Sequence, residues 1–102
     1  MINVIATLEI KPGMRDEFLA IFKANMPAVL AEDGCISYIP CIDIPSGLDA
    51  QKEVRNNVVT VLEAWESPDH LRAHLSAPHM LEYGRKTQNM KLSADIKVMQ
   101  SA

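Results

Sequence analysis

Residues 2–10, INVIATLEI, alternate with a period of two, and this run narrows the possible folds more than any other stretch of the chain. Ile2, Val4, Ala6, Leu8 and Ile10 share one face; Asn3, Ile5, Thr7 and Glu9 share the other. Successive side chains of a pleated strand point to opposite sides, so this pattern is a strand with one face for a core. Its second face is only half polar. Such a strand is not stable alone and needs neighbouring strands and a covering layer.

Those neighbours can be read in order. Pro12-Gly13 ends the strand, and a helix pattern follows to about Ala31, with Met14, Phe18, Ile21 and Phe22 at helical spacing. Pro27 inside it is expected to kink the helix or start a new turn, and Gly34 to stop it as a C-terminal cap. Residues 35–44 are expected to form a second strand, with Ile36, Tyr38 and Ile42 on one face. The polar connection PSGLDAQKEVRNN leads to a third strand at 57–66. There Val59, Val61, Glu63 and Trp65 point one way, and Val58, Thr60, Leu62 and Ala64 the other. SPDH is a helix start: Ser67 can cap, Pro68 suits the first helical position, and Asp69 favours the positive end of the helix dipole. That helix is expected to reach about Leu75. Pro78 opens another, to about Met90, whose cap position falls on Ala77, a poor capping residue. Residues 94–100 complete the pattern as a last strand.

The order is β-α-β-β-α-β with its second helical region broken in two. It predicts an α+β fold of the ferredoxin-like type, an antiparallel sheet with helices on one face. At 102 residues the chain is expected to be one domain, 1–102, since a second would be too small to bury a core. The sheet face carrying Ile5, Val58, Thr60 and Leu62 is too apolar to stay wet. The same face of a second copy is its simplest cover, which predicts a homodimer.

A net charge of -3, with acids and bases interspersed, leaves no basic stripe for a phosphate backbone, so nucleic acid is not an expected partner. No apolar run approaches the ~20 residues of a membrane helix. Glu9 interrupts the first apolar run, which has no basic leader before it, so no signal peptide is read there. The expected location is the cytoplasm. Cys35 and Cys41 are six positions apart on a strand, roughly 20 Å, too far for a disulfide within one chain.

EAWESPDHLRAHLSAPHM, residues 63–80, holds the only tryptophan and all three histidines. His70 and His74 are four apart, a spacing that zinc pairs use. There is no HExxH and no third ligand at a matching spacing, so two surface or half-buried histidines are the expectation, with His70 on the outer side of its helix. His79 is the second residue of the next helix, where the dipole favours a neutral ring that could act as a base near pH 7. It is equally a polar residue at a helix start. Trp65 reads first as core packing with its indole N–H paired. Glu63, two residues earlier on the same face, is costly there unless it is paired or the face opens to a cavity. No GxSxG turn and no glycine-rich phosphate loop is present.

Taken together, VLEAWESPDHLRAHLSAPHM, IKPGMRDEF and EDGCISY resemble the antibiotic biosynthesis monooxygenase family, in register and over nearly the whole chain. The small bacterial quinol monooxygenases are the most similar subgroup, through GCxxY, WES, HL and PHM. The resemblance implies a dimeric α/β barrel with a pocket between sheet and helices. It implies oxidation of a quinol or similar hydroxylated aromatic by O₂, with no metal, flavin or haem. It implies His74 and His79 as catalytic candidates and Trp65 in the pocket, against the ring; Tyr38, Glu63 and Tyr83 are the further substrate-binding candidates. Polyketide-pathway members carry an asparagine where this chain has Val61. Haem-degrading relatives carry an asparagine and a histidine where it has Ala6 and Gly84. The competing class is a non-catalytic or isomerase-type dimer of the same fold that binds a small molecule.

Overall fold

The alternation of residues 2–10 puts the first strand in the interior of a four-stranded antiparallel sheet. The structure, a computed structural model, describes residues 1–102. Its elements are β1 (Ile2–Ile10), α1 (Arg15–Leu30), β2 (Cys35–Cys41), β3 (Val58–Trp65), α2 (Pro68–Ser76), α3 (Pro78–Thr87) and β4 (Lys91–Met99), with strand order β2-β3-β1-β4. This is the ferredoxin-like α+β arrangement. β1 pairs with β3 through Ile5↔Leu62 and Leu8↔Val59, and with β4 through Ile5↔Lys97 and Leu8↔Ala94.

The register carries the alternation into three dimensions. Ile2, Val4, Leu8 and Ile10 of β1 and Val59, Val61 and Trp65 of β3 lie on the buried face with Phe18, Phe22 and Val29 of α1. Phe22 stacks on Tyr38 with ring centroids 5.2 Å apart, and Tyr83 from α3 meets Phe18 and Phe22 edge-on at 6.1 and 5.9 Å. Each such side chain, fully buried, stabilises the fold by about 1.5–3 kcal/mol. No helix is long and apolar enough to cross a membrane. Cys35 and Cys41 are both free thiols.

Several local expectations are corrected. α1 runs through Pro27 as one helix, so no new helix starts there, and it ends at Leu30, with Ala31 as its C-cap and the Ala31 amide donating to the Pro27 carbonyl at 3.2 Å. Gly34 therefore does not cap the helix; with φ +81 it shapes the turn into β2. β2 stops at Cys41, and its pairing shifts between Cys35 and Ser37. That irregularity breaks the period of two, so Tyr38 is buried while Ile36 is exposed; Ile42, exposed as well, lies beyond the end of the strand. α3 ends at Thr87 rather than Met90, and β4 begins at Lys91, three residues before the expected start. The Ser67 hydroxyl accepts from the His70 amide at 3.3 Å, and Ala77 supplies no side-chain cap to α3. Between β2 and β3 the connection is clasped by Arg55, whose guanidinium donates twice to Asp43, at 2.8 and 3.0 Å. This clasp holds the Asp43 carboxyl down at about 2.

Candidate active site

Glu63 and Trp65 point to the buried face because β3 alternates, and the same alternation makes them neighbours. The Trp65 indole N–H donates to Glu63 Oε1 at 2.9 Å. α2 then turns back over the sheet and brings His74 onto Trp65, with ring centroids 4.6 Å apart, and onto Tyr38 at 5.5 Å. His74 is 2% exposed. Its Nδ1 lies 2.7 Å from Glu32 Oε2, and His79 Nε2, from the start of α3, lies 2.8 Å from the same oxygen. One carboxylate from the α1–β2 turn thus joins α2 and α3. A carboxylate oxygen accepts, so the neutral form of His74 carries its proton on Nδ1 and presents Nε2 as an acceptor.

Every buried side-chain nitrogen and oxygen has a hydrogen-bond partner. His74 Nε2, Glu63 Oε2 and the hydroxyls of Tyr38 and Tyr83 have none within the chain. They are therefore the accessible atoms of otherwise buried residues, and all four residues line one cavity of about 290 Å³. The walls are apolar: Ala6, Leu8, Phe22, Val61, Leu75 and Met80. Ala94 and Ile96 of β4 complete the apolar lining. This volume is at the lower end of small-ligand sites, and a few convergent polar groups in an apolar wall are their usual make-up. Burial raises the Glu63 carboxyl above its ordinary range, against the smaller opposing effect of the Trp65 hydrogen bond. Burial, and then the Glu63 charge, push the Tyr38 and Tyr83 phenols far above theirs. The tyrosines therefore act as neutral donors and not as bases at physiological pH.

Of the expected site residues, His74, Glu63, Tyr38 and Tyr83 share the cavity. Trp65 does not line it. It is 0% exposed and sits behind Glu63 and His74, where it orients both. His79 does not line it either. It faces a neighbouring groove between α1 and α3, with Ala20, Ile21, Asn25 and Lys86, and reaches His74 only through Glu32. His70 is not on the open side of its helix: its side chain is 28% exposed, tucked against Gly34. His70 Nδ1 lies 2.7 Å from the Ser67 hydroxyl and Nε2 lies 3.5 Å from Asp33, so His70 and His74 serve different carboxylates. The residue that periodicity missed is Glu32. It lies in a turn, where neither helical nor strand spacing predicts a side chain's direction. Its one signal was the EDG that precedes Cys35. Lys91, at the first position of β4, also lines the cavity and was not anticipated.

Fold and site together define a ferredoxin-like α+β domain with a largely apolar pocket between sheet and helices, lined by a histidine, a glutamate and two tyrosines. Residues 1–86 match the family described as antibiotic biosynthesis monooxygenase, and the chain belongs to that family. It is 36% identical over 102 residues to the protein named probable quinol monooxygenase YgiN of Escherichia coli K12, covering 98% of this chain and 97% of that one. Solved structures agree in fold. A conserved protein from Methanosarcina mazei Go1 superposes with a TM-score of 0.82 at 22% identity, over 99% of this chain and 92% of that one. PA3566 from Pseudomonas aeruginosa superposes with a TM-score of 0.79 at 20% identity, over 99% and 94%.

Proposed function

We propose that the protein is a monooxygenase that needs no cofactor and oxidises a quinol or similar hydroxylated aromatic with O₂. The observation that carries this reading is His74 Nε2, held as an acceptor by Glu32 and facing an apolar cavity with Glu63 and two tyrosine hydroxyls. The family and the likeness to YgiN support it. His74 takes a phenolic proton from the bound hydroquinone. The electron-rich anion passes one electron to O₂, and the semiquinone and superoxide recombine to form a ring C–O bond. The proton on His74 returns to the peroxide. Loss of the ring C–H proton and cleavage of the O–O bond release water and leave a hydroxyquinone. One oxygen atom enters the product and the other leaves as water. All four electrons come from the substrate, so the balance requires no flavin, haem or metal.

The chain supplies orientation, a base and exclusion of water. Leu75 and Met80 from the helices and Val61 from the sheet form the dry walls. The functional unit is a homodimer that covers the outer sheet face. Oxygen uptake by metal-free protein with a panel of quinols, corrected for autoxidation, tests the chemistry. Uptake that depends on protein is expected, reduced by roughly a hundredfold in His74→Ala, the lower range for a lost general base. His70→Ala is expected to change it little. The absence of uptake above autoxidation, or full activity in His74→Ala, overturns the reading.

A further inference from the structure

Lys91 shares the cavity with Glu63, His74, Tyr38 and Tyr83, and it is the cation of that lining. Its ammonium stands 5.2 Å above the centroid of the Tyr83 ring, within the range at which an aromatic face attracts a cation. Five cations of the chain are matched by carboxylates: Arg55 by Asp43, Arg72 by Asp69, Arg85 and Lys86 by Glu82, and Lys97 by Asp95 at 2.9 Å. Asp95, the remaining acid of the cavity lining, is thereby taken, and no carboxylate pairs with Lys91. Yet Lys91 is half-buried, and burial lowers its proton affinity below that of an ordinary lysine. A desolvated ammonium with no counter-charge in its own chain favours an anion brought by a ligand.

The sheet register sets Lys91 well apart from the acid–base groups. Glu63 lies opposite Val4 on β1, and Lys91 lies opposite Ile10. Six strand positions separate those levels, roughly 20 Å of backbone. Ala6 and Leu8 of β1, and Val61 opposite Ala6, lie between those levels and line the cavity together with Phe22. The cavity thus has proton-accepting groups at one end and an ammonium toward the other.

We infer that the ligand of this cavity is a hydroxylated aromatic acid. Its carboxylate, or an equivalent anionic group, pairs with Lys91, and a hydroxyl at the far side of a fused ring meets His74 and Glu63. Glu63 works against the reverse orientation, because it would place two carboxylates together. The inference rests on the reading that this cavity is the substrate site, and it adds the charge of the substrate.

Calorimetric titration of the full chain with two redox-stable probes, 6-hydroxy-2-naphthoate and 2-naphthol, tests it without any oxygen chemistry. The acid is expected to bind at least about tenfold tighter at low salt, with the gap narrowing as salt rises. Lys91→Met should close the gap while leaving 2-naphthol within about twofold of its original affinity, because the apolar walls that hold the ring are unchanged. Lys91→Arg should preserve the gap, and so should Lys86→Met in the neighbouring groove. Equal affinities in the unaltered protein, a preference for the naphthol, or no binding of either probe overturns the inference. So does a preference that survives Lys91→Met or is lost in Lys86→Met. The preference of the unaltered protein and its salt dependence are read without any substitution, so a variant that fails to fold does not spoil the test. Failure of quinol-driven oxygen uptake would sink the monooxygenase reading and leave this result standing.

Discussion

At the scale of single residues, Glu63 is the group under most tension. It is a carboxylate on the core face of β3, 8% exposed, and its visible partner is the indole N–H of Trp65. Burial raises its pKa above the ordinary carboxyl value of 4.5, so the fold shifts it toward the neutral acid. The sign of the linkage follows. The folded chain holds this proton more tightly than the unfolded one, so the stabilisation is complete below about pH 4.5 and is lost as pH rises through the folded value. Glu63→Gln should therefore raise the melting temperature at pH 7 by a few degrees, since an amide keeps an acceptor for Trp65 without a charge. The lone tryptophan reports the event directly. Its emission should titrate with a midpoint above 4.5, and the titration should vanish in Glu63→Gln; an unchanged titration would assign it elsewhere. The direction of Glu63 was legible from alternation alone. Its pairing with Trp65 was not, because the period of two says that i and i+2 share a face but not that their polar atoms meet.

At the scale of elements, the corner where α1 enters β2 and α2 passes into α3 is held by two residues that no periodicity predicts. Glu32 ties His74 and His79 to one oxygen. Gly34 leaves room for the His70 ring, and a Cβ at this glycine would lie 2.3 Å from His70 Cδ2. Gly34→Ala combines that clash with a φ of +81 that a side chain disfavours, so a loss of about 2–3 kcal/mol is expected in urea unfolding. Adding His70→Ala should recover the part due to the ring, and leave both the contact with the residue-70 Cβ, 2.8 Å away, and a backbone strain of about 1–2 kcal/mol. A single variant as stable as the parent would mean the turn is built differently. Glu32→Ala frees His74 to rotate and lose its tautomer, and turnover should fall roughly ten- to a hundredfold, as when the carboxylate behind a catalytic histidine is removed. KM should change little, because Glu32 is not among the cavity-lining residues. The strands, α1 and the break at Pro78 were readable because each rests on local periodicity or a local cap. The corner was not, because its geometry depends on one positive φ and on contacts between residues more than forty positions apart.

At the scale of the whole molecule, the outer sheet face remains to be accounted for. The register aligns Ile39, Leu62 and Ile5 in one cross-strand row over β2, β3 and β1, and they are 51%, 41% and 37% exposed. The sequence pointed to Ile5 and Leu62; Ile39 joins them as the strand neighbour of Tyr38, whose side chain takes the buried face. A domain of this length buries a modest fraction of its surface on its own, so covering the row adds stability that the single chain lacks. A second copy that presents the same row meets it with like chemistry around a twofold axis. Light scattering at micromolar concentration should give a dimer, and the melting temperature should rise with protein concentration. Leu62→Lys is the discriminating change. Within one chain Leu62 already meets solvent, so the substitution should cost little in the fold of a protomer. Across a buried interface it sets two unpaired ammonium groups in apolar surroundings, which is strongly unfavourable. The expected result is a folded monomer with native circular dichroism and a melting temperature that no longer depends on concentration. If the unaltered protein is already monomeric, or if Leu62→Lys remains a dimer of equal affinity, the row serves another purpose and association through this face is excluded.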